Sequence, residues 1–95
     1  MSGDARQAAR ILIVDDEAHL ADGIRENLEA EGYATEVAHD GLEGLDKIRR
    51  QHFDLLLLDV MMPKMNGLEV CEEVRREGLS TPVLFLTVKG EAQDR

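Results

Sequence analysis

The chain has 95 residues, 43% hydrophobic and 33% charged, with 20 acidic residues against 11 Lys and Arg and a formal net charge of -9. That supplies one apolar core and leaves no room for a second domain. The basic residues are scattered rather than striped, so direct binding to nucleic acid is not expected; no apolar run approaches the roughly 20 residues that span a bilayer, so neither is a membrane span.

The opening "MSGDARQAAR" lacks the continuous apolar segment of a secretory signal, and residues 1–10 read as a polar leader. The single cysteine, Cys71, has no partner for an internal disulfide, which points to a reducing, cytoplasmic setting.

The first element is a strand over "ILIV", ending at Asp15 and Asp16. Leu20, Ile24 and Leu28 then recur at four-residue spacing along one helical face, and Gly32 stands where that helix ends. "YATEVA" alternates and reads as an edge strand. "DGLE" from Asp40 starts a second helix with a capping side chain three residues ahead of a glutamate, its apolar face marked by Leu42, Leu45 and Ile48.

"LLLL" is a buried strand that stops at Asp59, followed by the loop "VMMPKMNG". "NGLE" from Asn66 opens a third helix with Leu68, Cys71 and Val74 on one face, and Gly78 marks its end. Last comes "PVLFLTV", with Thr87 near its end. Cys71 reads as a buried structural thiol, and Met61, Met62 and Met65 as space filling beneath the loop. His19, His39 and His52 fall on separate elements and read as solvated.

Alternating strands and helices with continuous apolar strand runs predict an α/β, doubly wound parallel sheet in the order 2-1-3-4. Ligands bind such sheets at the carboxyl ends of the strands, and adjacent strands are about 4.8 Å apart. Asp15, Asp16, Asp59 and Thr87 therefore gather into one acidic cleft with a hydroxyl at its rim. Clustered carboxylates call for a compensating cation, and an all-oxygen set suits magnesium, with Asp16 and Asp59 as direct ligands and Asp15 direct or through water. No Cys/His cluster favours zinc. A rigidly held carboxylate beside such an ion is a nucleophile toward a phosphoryl group, and Asp59 is the candidate.

"ILIVDDE", "LLLLDVMMPKMNG" and "PVLFLT" resemble, in order and spacing, the motifs of the receiver domain of two-component response regulators. The resemblance implies a flavodoxin-like receiver fold. It implies Asp59 as phosphoacceptor, Asp15 and Asp16 as the acidic metal pair, Thr87 as the switch hydroxyl and the Met61 backbone carbonyl as a further metal ligand. Pro63 and Gly67 match the loop that follows the acceptor. A sensor histidine kinase would be the phosphodonor, Mg2+ the cofactor, and a switched protein-interaction surface the output of a signalling domain rather than an enzyme.

Receivers continue with a fifth strand that carries a lysine, and with a fifth helix, whereas this sequence stops at "KGEAQDR". Neither Lys64 nor Lys89 matches that lysine, so residues 11–95 read as a partial receiver with impaired phosphorylation. Its fourth strand would be an exposed edge inviting a homodimer or strand-exchanged oligomer. The alternative reading is an interaction module that keeps the fold and works without phosphorylation. An aspartate-nucleophile phosphatase is a third, disfavoured because Met61 stands where such enzymes place a second Asp.

Overall fold

The computed structural model describes residues 8–86. Four strands, β1 (Arg10–Val14), β2 (Ala34–Ala38), β3 (Leu55–Asp59) and β4 (Val83–Leu86), alternate with three helices, α1 (Ala18–Ala30), α2 (Gly41–Arg50) and α3 (Gly67–Arg76). All pairings are parallel and the spatial order is β2-β1-β3-β4, the 2-1-3-4 arrangement expected from the alternation. Among the described residues no helix is long and apolar enough to cross a membrane.

The unbroken apolar runs follow from burial on both faces of the sheet. Side chains alternate along a strand, so Leu12, Val14, Leu56 and Leu58 point to one side and join Leu45, Ile48, Phe53, Val70 and Val74 in one core. Ile11, Ile13 and Leu57 point to the other, where they meet Ala21, with Ile24 and Leu28 of α1 packed beside them. β4 is less covered: Leu84 is 58% exposed and Phe85 41%.

The helix boundaries have local causes. Asp40 accepts the Glu43 amide at 2.8 Å, and the Glu43 carboxylate reaches back to the amide of His39 at 2.9 Å. Asn66 and Glu69 exchange the full reciprocal pair, each bond 2.9 Å, so both "DGLE" and "NGLE" are helix starts. Gly32 and Gly78 end α1 and α3 with φ of +98° and +86°, the left-handed backbone that favours glycine.

Two helical faces differ from the sequence expectation. Leu42 is 62% exposed and Leu68 50%, while the buried strip of α2 runs through Gly41, Gly44, Leu45 and Ile48 and that of α3 through Gly67, Val70 and Val74. Glycines take the positions of closest approach, which turns the leucines outward. Cys71 correspondingly lies half-buried at the margin of the core rather than within it. Met62 and Met65 do fill space under the loop, but the Met61 side chain is exposed.

Gly44 shows how close the approach is: a Cβ there would lie 2.9 Å from Cγ2 of Val14 and 3.2 Å from Cγ1. Overpacking of this kind typically destabilises by about 1–3 kcal/mol. Gly44→Ala is therefore expected to lower the stability measured by urea unfolding. Val14→Ala in the same chain should recover part of the loss, because the two sites share one contact and couple. Strict additivity of the two single effects would show that the contact is not the cause.

Candidate functional site

β1 and β3 are neighbours in register from Ile11↔Leu55 to Val14↔Leu58, and each strand's apolar run is followed by an aspartate. Asp15 is fully buried and Asp59 is 7% exposed; they are the buried charged residues among the described part of the chain. Asp16, the next residue after Asp15, is exposed. One carboxylate oxygen from each of Asp15, Asp16 and Asp59 lies within 4.8 Å of the others. The parallel sheet thus brings together three of the four side chains predicted to meet. The fourth, Thr87, lies outside the described residues; Leu86, immediately before it, is in register with Asp59, and its carbonyl accepts the Val60 amide at 3.2 Å.

Both strand-end aspartates are aimed by the same local device. Asp15 Oδ1 accepts the Glu17 amide at 2.9 Å, and Asp59 Oδ1 accepts the Met61 amide at 3.1 Å, each bond reaching two residues along the chain. The main chain of Asp15 is fixed from the other side by its amide, which donates to the Ala38 carbonyl at 3.0 Å. Among the described residues, Asp15 Oδ2 is buried with no hydrogen-bond partner.

Burial, the dominant effect, pushes the Asp15 carboxyl up to about 6; the Glu17 amide opposes this, and the negative charges of Asp59 and Asp16 reinforce it. Three clustered carboxylates with one orphaned, buried oxygen form a hard-oxygen donor set that fits a divalent cation such as magnesium.

The loop from Val60 to Asn66 is held close to this cluster. Met62 is buried in the core, Lys64 adopts a left-handed φ of 67°, and Gly67 sits so near the strand end that a Cβ would come 2.5 Å from the Asp59 carbonyl oxygen. This close approach was not visible in the sequence, where "NG" carries only a helix-start signal. Of the histidines, His19 and His39 are exposed and His52 pairs with Asp54 at 3.1 Å; none is part of the acidic cluster.

The response regulator receiver domain family matches residues 11–95 of the chain. Response regulator MprA of Mycobacterium tuberculosis is 44% identical over 88 residues, which cover 93% of this chain and 38% of that protein. The chain thus spans well under half the length of this curated relative. Response regulator protein TrrA of Thermotoga maritima, solved in complex with Mg(2+)-BeF, superposes with a TM-score of 0.82 at 38% identity, covering 86% of this chain and 71% of that one. Vibrio cholerae chemotaxis protein CheY4 gives a TM-score of 0.82 at 36% identity over 88% of this chain and 72% of that one. With the flavodoxin-like sheet and the acidic cluster at its carboxyl end, these likenesses establish that the chain belongs to the response regulator receiver domains of two-component signalling.

Proposed function

We propose that Asp59 accepts a phosphoryl group from a sensor histidine kinase in a magnesium-dependent reaction and thereby switches a protein-interaction surface of a cytoplasmic signalling protein. The observation that carries this reading is the meeting of Asp15, Asp16 and Asp59 at the ends of two adjacent buried strands, with one buried carboxylate oxygen left unpartnered. The likeness to TrrA, solved with Mg(2+)-BeF, supports the same choice of cation.

In this reading Asp15, Asp16, Asp59 and the backbone carbonyl of Met61 hold the ion. When bound, magnesium would offset the repulsion between carboxylate and phosphoryl oxygens. The Met61 amide fixes one oxygen of Asp59 and leaves the other to attack phosphorus. An O–P bond forms to the aspartate as the P–N bond to the donor imidazole breaks, its electron pair returning to the imidazole nitrogen. The Thr87 hydroxyl is assigned to hydrogen-bond a phosphoryl oxygen of the acyl phosphate. Hydrolysis then returns Asp59 as the carboxylate and releases phosphate.

Incubation with acetyl phosphate and Mg2+, followed by intact mass spectrometry, is expected to add one phosphoryl mass to a minor fraction of the wild-type chain, in keeping with the impaired phosphorylation expected from its sequence, and none to Asp59→Asn. An adduct that persists in Asp59→Asn, or that forms equally in EDTA, would overturn the assignment.

The raised Asp15 pKa gives the site a pH signature. The folded chain binds that proton more tightly than the unfolded chain, whose carboxyl titrates near 3.8, so this contribution to stability is full below about pH 4 and is lost as pH rises through about 6. Asp15→Asn mimics the protonated form. In EDTA, the melting temperature of Asp15→Asn minus that of the wild type is expected to grow from about pH 4 to about pH 7. Magnesium must displace the same proton, so its stabilisation of the wild type should be larger at the upper end of that range. A difference that does not vary with pH would sink this account.

Self-association through β4 is part of the proposal, supported by the exposure of Leu84 and Phe85 on that strand. Light scattering is expected to show a dimer or larger species for the wild type that dissociates in Leu84→Glu; a wild-type monomer at all accessible concentrations would remove it.

A further inference from the structure

We propose that Gly41, the first residue of α2, is a positioning residue for the acidic site, acting through the loop between β3 and α3. The inference rests on the metal-binding reading above. Gly41 is not a member of the carboxylate cluster. Its relevance comes from what it packs against: a Cβ there would lie 2.6 Å from the carbonyl oxygen of Met65, 2.9 Å from its Cβ and 3.0 Å from its Cγ.

Conformational freedom does not account for a glycine here. Among the described glycines only Gly32 and Gly78 have positive φ, so Gly41 adopts backbone angles open to any residue. Helix propensity argues against it as well, since alanine is the better helix former. The remaining physical reason is space. The closest obstacle is a backbone carbonyl, so no change of side-chain rotamer relieves the contact, and the loop itself must move.

That loop has little slack. One end is Asp59, whose Oδ1 takes the Met61 amide; the other is Gly67, packed without a Cβ against the Asp59 carbonyl. Between them Met62 is anchored in the core, and Lys64 already occupies a left-handed φ of 67°. Gly41 bears on Met65 just before the Asn66 cap, so α2 and the end of β3 grip the descending limb of the loop from two sides. A methyl group at position 41 displaces Met65, and the displacement passes along a short, strained segment to Met61, the residue bonded to Asp59. The same grip makes α2 a mechanical neighbour of the site, while its cap residue Asp40 accepts the Glu43 amide of its own helix.

The test is Mg2+ titration by calorimetry of the 95-residue chain and its variants, at a temperature where circular dichroism shows each to be folded. Gly41→Ala is expected to bind Mg2+ about tenfold more weakly, the usual scale for loss of a group that orients metal ligands. Val74→Ala, which empties part of the core at the far end of α3, is expected to lower the melting temperature without changing affinity. Lys64→Gly relieves the positive φ and loosens the loop without touching α2, and is expected to weaken Mg2+ binding while preserving the melting temperature.

Wild-type affinity in a folded Gly41→Ala would overturn the positioning role, as would an equal loss in Val74→Ala. Should Gly41→Ala not fold, Gly41→Ala combined with Lys64→Gly, whose loosened loop can yield to the methyl group, is compared with Lys64→Gly alone, and equal Mg2+ affinities would overturn the role. A wild-type chain that binds no Mg2+, or whose binding is unchanged in Asp15→Asn, would overturn the metal reading itself. Binding that depends on Asp15 yet ignores the loop variants would remove only the role of Gly41.

Discussion

The structure turns on the burial of one carboxylate. Asp15 has no exposed surface, and one of its oxygens is without a partner among the described residues, in a position that follows four consecutive buried apolar residues of β1. Leaving a charge in that environment is unfavourable unless a proton or a cation arrives. The parallel pairing of β1 with β3 then places Asp59 beside it, and the turn out of β1 adds Asp16. The free chain meets this tension by raising the Asp15 pKa to about 6, and a bound cation meets it without the proton. The fold and the site are therefore one problem: the strands that form the core also deliver acids to a place where acids need company.

Keeping the helices close enough to enclose that end of the sheet falls to glycine. Gly44 against Val14, Gly67 against Asp59 and Gly41 against Met65 each occupy a position where a single methyl group would meet another atom at under 3.0 Å. Two of these contacts involve a strand end that carries, or immediately precedes, a site aspartate. The third bears on the loop that leaves Asp59. Tight packing at the carboxyl end of the sheet thus sets the helices and the loop directly against the strand ends that carry the carboxylates.

Much of this was legible in the sequence because it depends on local order. The apolar runs, the helical spacings and the two cap motifs specify the elements, and parallel connection rules bring Asp15, Asp16 and Asp59 together without any knowledge of side-chain packing. The helix faces were less legible. Leu42 and Leu68 fit three-residue spacings with their neighbours, yet both are exposed, since the buried strip of each helix begins at glycine, Gly41 and Gly44 in α2 and Gly67 in α3, with no side chain to betray it. Hydrophobic periodicity marks where apolar groups recur and is silent where two backbones simply touch. The depth of Asp15 was hidden for a related reason: Asp15 and Asp16 are identical letters, and only the strand's direction makes one buried and the other exposed.

The direction of the helices has an electrical consequence. Each strand runs toward the acidic end of the sheet, and the helix that follows it begins there, so α2 and α3 start near the carboxylates and finish at the opposite pole. Their last turns carry Lys47, Arg49 and Arg50 in one case and Arg75 and Arg76 in the other, five of the 11 basic residues of the chain. Most of these cations already face an acid of their own, Lys47 with Glu36, Arg49 with Glu77, Arg50 with Asp46 and Arg76 with Glu73, whereas the three aspartates at the other pole face one another. A cation approaching through solvent therefore finds charges that are largely paired at one pole and clustered carboxylates at the other before any contact is made.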